Sequence, residues 1–185
     1  MALDNYTRAR ERMVEDQLVQ RGINDPLILD AMRRVPRHLF VDAAEQDQAY
    51  EDHPLPIGEG QTISQPYMIA LMASAAQLAE GEHVLEIGTG SGYLTAILAE
   101  QGVQVCSIEL SPQLAQRAQS VLNHLGYQDV VVHVGDGTLG CCAATHFCRP
   151  DPIATSNSQS NHKRRGSDER NERRPTTAAD SYRHG

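Results

Sequence analysis

The sequence predicts an α/β fold: a doubly wound, mostly parallel sheet with an N-terminal helical extension. Three observations carry this expectation. Residues 83–136 alternate short apolar runs with helical segments, strand–helix–strand–helix–strand, and such alternation builds a parallel sheet with right-handed crossovers. Residues 1–80 hold helical periodicity and loops instead. Past Gly140 the apolar pattern stops, so the sheet is expected to be truncated after its third strand, with residues 141–185 as a disordered tail. The expected divisions are 1–80, 81–140 and 141–185.

The first predicted helix runs from about Asn5 to Gln20, with Met13, Val14 and Leu18 on its apolar side and Gly22 just past its end. Asp25-Pro26 supplies a capping side chain and a proline at the first helical position, opening a short helix through Met32 that Pro36 closes. Residues 50–66, YEDHPLPIGEGQTISQP, contain three prolines and two glycines and are read as a loop. Pro66 then opens a helix through about Leu78, with Met68, Leu71, Met72 and Ala75 at helical spacing.

His83–Ile87 is short and largely apolar, as suits a buried parallel strand. Gly88 to Gly92 makes a tight turn, and Leu94 to Glu100 is helical. Val103 to Glu109 is the second strand of this series. Ser111-Pro112 starts a helix in which Leu114, Ala118, Val121 and Leu125 precede Gly126. Val130 to Val134 is the third strand, ending at Gly135-Asp136-Gly137. There is no internal repeat.

Charge narrows the function. The net charge of -8 is uneven: residues 1–140 hold 8 Lys+Arg against 19 Asp+Glu, whereas residues 141–185 hold 8 against 5. An acidic body repels phosphate backbones, which argues against nucleic acid as a partner. The N-terminus lacks the apolar core of a secretory signal, and the run Tyr67–Ala79 is too short to span a bilayer. Three of the four cysteines cluster at Cys141, Cys142 and Cys148, unlike a disulfide framework. A cytoplasmic, monomeric protein without membrane association is the expectation.

The run Glu86-Ile87-Gly88-Thr89-Gly90-Ser91-Gly92 carries the chemistry. Glycines are needed where the chain turns through unusual dihedrals and where a ligand must meet bare backbone. A dinucleotide fingerprint would require another glycine three positions after the second; Tyr93 or Thr95 stands there, so that reading fails. The alternation of an acid and three glycines resembles motif I of the class I S-adenosylmethionine-dependent methyltransferases. That resemblance implies a sheet of the class I methyltransferase type and a cofactor with a sulfonium and an amino-acid end, which Glu86 suits electrostatically. Glu109, 21 residues after Gly88, would accept the ribose hydroxyls, and Asp136 would border the adenine. Singly, the glycine turn could be only a tight connection and Glu109 only a solvated strand end.

The preceding segments are more specific. Tyr50-Glu51-Asp52, Leu55-Pro56-Ile57-Gly58, Gly60-Gln61-Thr62-Ile63-Ser64-Gln65-Pro66 and, upstream, Arg34-Val35-Pro36-Arg37-His38-Leu39-Phe40-Val41 resemble the protein-L-isoaspartate O-methyltransferases, in that family's order, from about Asn5 to Gly140. The resemblance implies methyl transfer from S-adenosylmethionine to the α-carboxylate of isoaspartyl residues in damaged proteins and peptides. It implies that Ser64 lies at the catalytic site, and that Thr62, Ile63, Glu86, Gly88, Gly90, Gly92, Glu109, Asp136 and Gly137 bind the cofactor. Read without the family, Ser64 could simply cap the helix that Pro66 begins. Neither His53 nor His83 has the context of a Ser-His hydrolase.

After Gly140 the family pattern gives way to CCAATHFCRPDPIATSNSQSNHKRRGSDERNERRPTTAADSYRHG. Its large apolar or aromatic side chains are Phe147, Ile153 and Tyr182, too few to offset the entropy of ordering it. The tail reads as foreign to the fold, as a shifted reading frame would make it. The expected consequences are an exposed apolar edge strand, low stability and weak or no activity. Cys141, Cys142, His146 and Cys148 lack the paired spacing of a zinc site, so no metal is expected. A small-molecule methyltransferase and a non-enzymatic remnant are the rival functions.

Overall fold

In the computed structural model, which describes residues 2–138, the chain opens with helix α1 (Ala2–Arg12). A π-helical turn over Met13–Leu18 and a 3-10 turn over Val19–Arg21 continue it. Met13, Val14 and Leu18 are buried as their spacing predicts, and Gly22 ends the run at φ 90°. Helix α2 (Pro26–Arg34) starts at Asp25, whose carboxylate accepts the Leu27 amide at 2.9 Å. A 3-10 turn over Arg37–Phe40 then buries Phe40 against the Tyr93 ring.

The segment read as a loop contains a β-hairpin. Strands β1 (Leu55–Gly58) and β2 (Gln61–Ile63) pair antiparallel, with Leu55 opposite Ile63 and Pro56 opposite Thr62. Leu55, Ile57 and Ile63 point into the core. A two-strand ribbon has only edges, where proline is tolerated, so three prolines do not exclude strands here. Glu59 and Gly60 make the turn with positive φ, 50° and 67°.

Helix α3 (Pro66–Ala76) buries Pro66, Ile69, Ala70 and Ala73, while Met68, Leu71 and Met72 are exposed. The residues whose spacing predicted the helix thus lie on its outer face. The helix is apolar nearly all round, so periodicity could not choose its inner side.

Strands β3 (His83–Ile87), β4 (Gln104–Glu109) and β5 (Val131–Val134) form a parallel sheet in the order β3-β4-β5, with Glu86 beside Ser107 and Glu109 beside Val134. Helix α4 (Tyr93–Glu100) connects β3 to β4, and α5 (Pro112–His124) connects β4 to β5. This corrects the expectation of a fold truncated after its third strand. The described residues hold five strands, and β4 and β5, with α4 and α5, follow the third. The hairpin had been missed, so the strands were undercounted. At the sheet edge, β3 leaves Leu85 38% and Ile87 60% exposed, so it is not the fully buried strand its composition suggested. The expected disordered tail, and the Cys141, Cys142, His146 and Cys148 group, lie outside the described residues.

Candidate functional site

Parallel strands end together, and what their carboxyl ends carry meets at one edge. At the end of β3 the chain turns through Gly88, Gly90 and Gly92, with φ 89°, 56° and 86°. Side chains rarely adopt such values, which is why glycine stands at these positions. The turn is pinned to its neighbour. The Gly88 amide donates to the Ile108 carbonyl at 2.7 Å, and the Gly90 amide to Glu109 Oε2 at 2.8 Å. Glu109 Oε1 accepts the Ser111 amide at 2.9 Å, so one carboxylate holds both the glycine turn and the start of α5.

Glu86 is 8% exposed. Its Oε2 accepts from the Thr95 hydroxyl at 2.5 Å and the Ser107 hydroxyl at 2.7 Å, and the hydroxyls of Ser107 and Thr89 stand 2.6 Å apart. Burial raises its pKa above the ordinary carboxylate value; the two hydroxyl hydrogen bonds oppose that, and the nearby Glu109 charge adds to it. Asp136 is exposed. Hydrogen bonds from the Thr138 hydroxyl and amide hold its carboxyl below the usual range.

Two cavities open along this edge. One of about 100 Å³ is lined by Thr62, Ile63, Ser64, Glu86, Gly88 and Gly90, with Tyr93 and Met72 among its other walls. The other, about 350 Å³, is lined by Thr62, Gly88, Gly90, Glu109, Asp136 and Gly137, with Ile87 and Leu110 among its apolar walls. Thr62, Gly88 and Gly90 wall both, so hairpin and glycine turn face one crevice. Gly137 lies so close to β3 that an added β-carbon would stand 2.3 Å from Ile87 Cγ2.

Nine of the ten residues singled out in the sequence thus line this crevice; Gly92 does not. An added β-carbon at Gly92 would stand 3.2 Å from the Ala118 β-carbon, so its position serves the close approach of α4 to α5. Helix α3 is capped by Gln65 without a side-chain hydrogen bond, so the capping explanation of Ser64 is not realised.

Sequence reasoning missed Arg37. Its Nη2 donates to the Ser64 carbonyl at 2.8 Å and its Nε to the Ala49 carbonyl at 2.7 Å, from a wholly buried position. An arginine inside the largely apolar Val35–Val41 stretch was the available signal. Among the described residues, no group of His, Cys, Asp and Glu could hold a metal ion, and no helix is long and apolar enough to cross a membrane.

Comparison with known proteins adds to this geometry. The family model for protein-L-isoaspartate(D-aspartate) O-methyltransferase matches residues 8–155. Protein-L-isoaspartate O-methyltransferase 1 of Syntrophobacter fumaroxidans is 60% identical over 136 residues, which cover 74% of this chain and 64% of that protein. The protein-L-isoaspartate O-methyltransferase of Syntrophus aciditrophicus is 56% identical over 138 residues, covering 75% and 63%. A solved protein-L-isoaspartate O-methyltransferase superposes with a TM-score of 0.63 at 32% identity, over 69% of this chain and 42% of that one. The chain spans a little under two thirds of the length of the curated relatives it matches.

Proposed function

The chain belongs to the protein-L-isoaspartate(D-aspartate) O-methyltransferase family, and from that premise we propose that it transfers a methyl group from S-adenosylmethionine to the free α-carboxylate of L-isoaspartyl residues in proteins and peptides. The carrying observation is a crevice that runs from Ser64 past three carboxyl groups, Glu86, Glu109 and Asp136, with no Lys, Arg or His among the described residues of its lining. Such a lining suits a cationic nucleoside and disfavours a phosphorylated one. At Gly88 an added β-carbon would meet nothing within 4 Å, so bare backbone faces open space where a ligand can approach. These residues fit S-adenosylmethionine.

When bound, S-adenosylmethionine supplies a methyl group already activated by the sulfonium charge. The protein's part is to hold and align. Both Glu109 oxygens accept amides, yet a carboxylate offers about four acceptor sites, leaving capacity for ribose hydroxyls. Glu86 would hold the amino-acid end, Asp136 and Gly137 would border the adenine, and Thr62 and Ile63 would close the crevice from the hairpin side. Gly92 contributes through helix packing. Ser64 donates a hydrogen bond to the substrate carboxylate. Such an α-carboxyl titrates near about 3.3–3.7, so at neutral pH it is already an ionised nucleophile and needs no general base. Orientation of this kind is worth up to roughly 7–11 kcal/mol of barrier. The methyl ester formed carries a better leaving group than the carboxylate does, one that departs as methanol when the ester carbonyl is attacked. The adjacent backbone nitrogen can then close a succinimide whose hydrolysis returns some normal aspartate. The same reading makes the protein a cytoplasmic monomer acting on protein and peptide substrates, not on nucleic acid or membranes.

Labelled S-adenosylmethionine, offered with an isoaspartyl peptide or its aspartyl twin, tests this. Label transfer to the isoaspartyl peptide alone is expected, with calorimetric binding of S-adenosylhomocysteine. Binding without transfer to either peptide would point to a different methyl acceptor. Neither binding nor transfer would overturn the reading altogether.

A further inference from the structure

Arg37 does not line the crevice, yet it holds the segment on which the substrate carboxylate would rest. Its hydrogen bonds to the Ala49 and Ser64 carbonyls reach chain before and after the hairpin, fastening that element at both ends. Its Cζ stands 5.0 Å from the centre of the Tyr93 ring, and Tyr93 lines the smaller cavity with Ser64. Arg37 is 0% exposed, and among the described residues its Nη1 has no hydrogen-bond partner and the ion pairs found do not include it. Burial lowers its pKa to about 10, which leaves it cationic at neutral pH.

Bridging two carbonyls does not require a charge, and burying one without a counter-ion is costly. The charge has a use in this crevice. A lining of three acids suits a cationic cofactor but repels an anionic methyl acceptor. A positive charge fixed behind Ser64 offsets that repulsion at the end where the acceptor has to sit.

We propose that Arg37 is the positioning residue for the substrate carboxylate: it fixes Ser64 through its main-chain carbonyl and supplies the positive potential that draws the anion there. The inference rests on the reading that Ser64 receives the isoaspartyl group.

Arg37→Lys and Arg37→Gln in the 185-residue chain separate the two contributions. Lysine keeps the charge but cannot span both carbonyls; glutamine loses the charge as well. The expected result is a KM for the isoaspartyl peptide raised roughly 10-fold in Arg37→Lys and further in Arg37→Gln. With kcat within about 3-fold and S-adenosylhomocysteine affinity unchanged, the loss is one of substrate binding. Unchanged KM in the folded variants, or an equal loss of cofactor and substrate binding, overturns the proposal. Amide hydrogen exchange provides a readout that does not depend on turnover, and Arg37→Lys suffices for it should Arg37→Gln fail to fold. Exchange at the amides of Ala49 and Ile69, which donate to the Gln46 and Gln65 carbonyls beside the two stretches that Arg37 holds, should rise roughly 10-fold in Arg37→Lys while the amides of β4 stay protected. No change there overturns the proposal. Faster exchange at those two amides in a chain that methylates no peptide would instead count against the functional reading and leave the Arg37–Ser64 link standing.

Discussion

In the N-terminal half, Arg37 is buried against two main-chain carbonyls; in the α/β half, Glu86 is buried against two side-chain hydroxyls. The difference lies in what each charge is asked to hold. Arg37 ties together distant stretches of backbone and keeps its proton well above neutral pH, so its charge is a fixed part of the fold. Glu86 sits among hydroxyls that can turn to donate or to accept, and burial biases its carboxyl toward the protonated form. One region buries a charge to build a frame. The other tolerates a costly charge where a cationic ligand would need it.

Substitutions can test that contrast. The largest effect is expected from Arg37→Met, which leaves the Ala49 and Ser64 carbonyls without their donor. The loss should be about 3 kcal/mol in urea unfolding. A loss below about 1 kcal/mol would mean that Arg37 is no frame. Next, Gly137→Ala forces a methyl group to within 2.3 Å of Ile87 Cγ2 and should cost about 2 kcal/mol, with weaker S-adenosylhomocysteine binding by calorimetry. Glu86→Gln should act in the opposite direction. A carboxyl whose folded pKa is raised destabilises the fold once it ionises, so stability falls as pH rises from the ordinary value near 4.5 through the folded value. The glutamine variant should therefore be more stable than the parent at pH 8, with the gain vanishing toward pH 4. It should also bind S-adenosylmethionine less well. A parent whose melting temperature is no lower at pH 8 than Glu86→Gln would sink this reading. Smallest are the two helix caps, one in each half. Asp25→Ala should cost about 1 kcal/mol and Ser111→Ala about 0.5, following their capping distances of 2.9 and 3.3 Å.

The α/β half was legible because its signals are local. An apolar run ending in Gly88, and Ser111-Pro112 opening a helix, fix elements within a residue or two of the observed His83–Ile87 and Pro112–His124. The N-terminal half was less legible because its signals compete. Prolines 54, 56 and 66 hid a hairpin, and α3 is apolar on both faces, so its inner side is set by what it packs against. At the crevice, residue types and order were readable, but partners were not. Nothing in the sequence says that Glu109 grips the Gly90 amide, that Gly92 faces Ala118, or that Arg37 reaches 27 residues forward to Ser64. Those depend on tertiary approach.

The grip of Glu109 on Gly90 and Ser111 has one more consequence. Three glycines within five residues would ordinarily leave a loop wandering among many backbone states, and capturing a ligand would then mean freezing it. Here the amides of Gly88 and Gly90 are tied down before any ligand arrives. The entropy of ordering the loop is lost when the chain folds, so association begins from a preorganised cradle and its affinity is not diminished by that freezing.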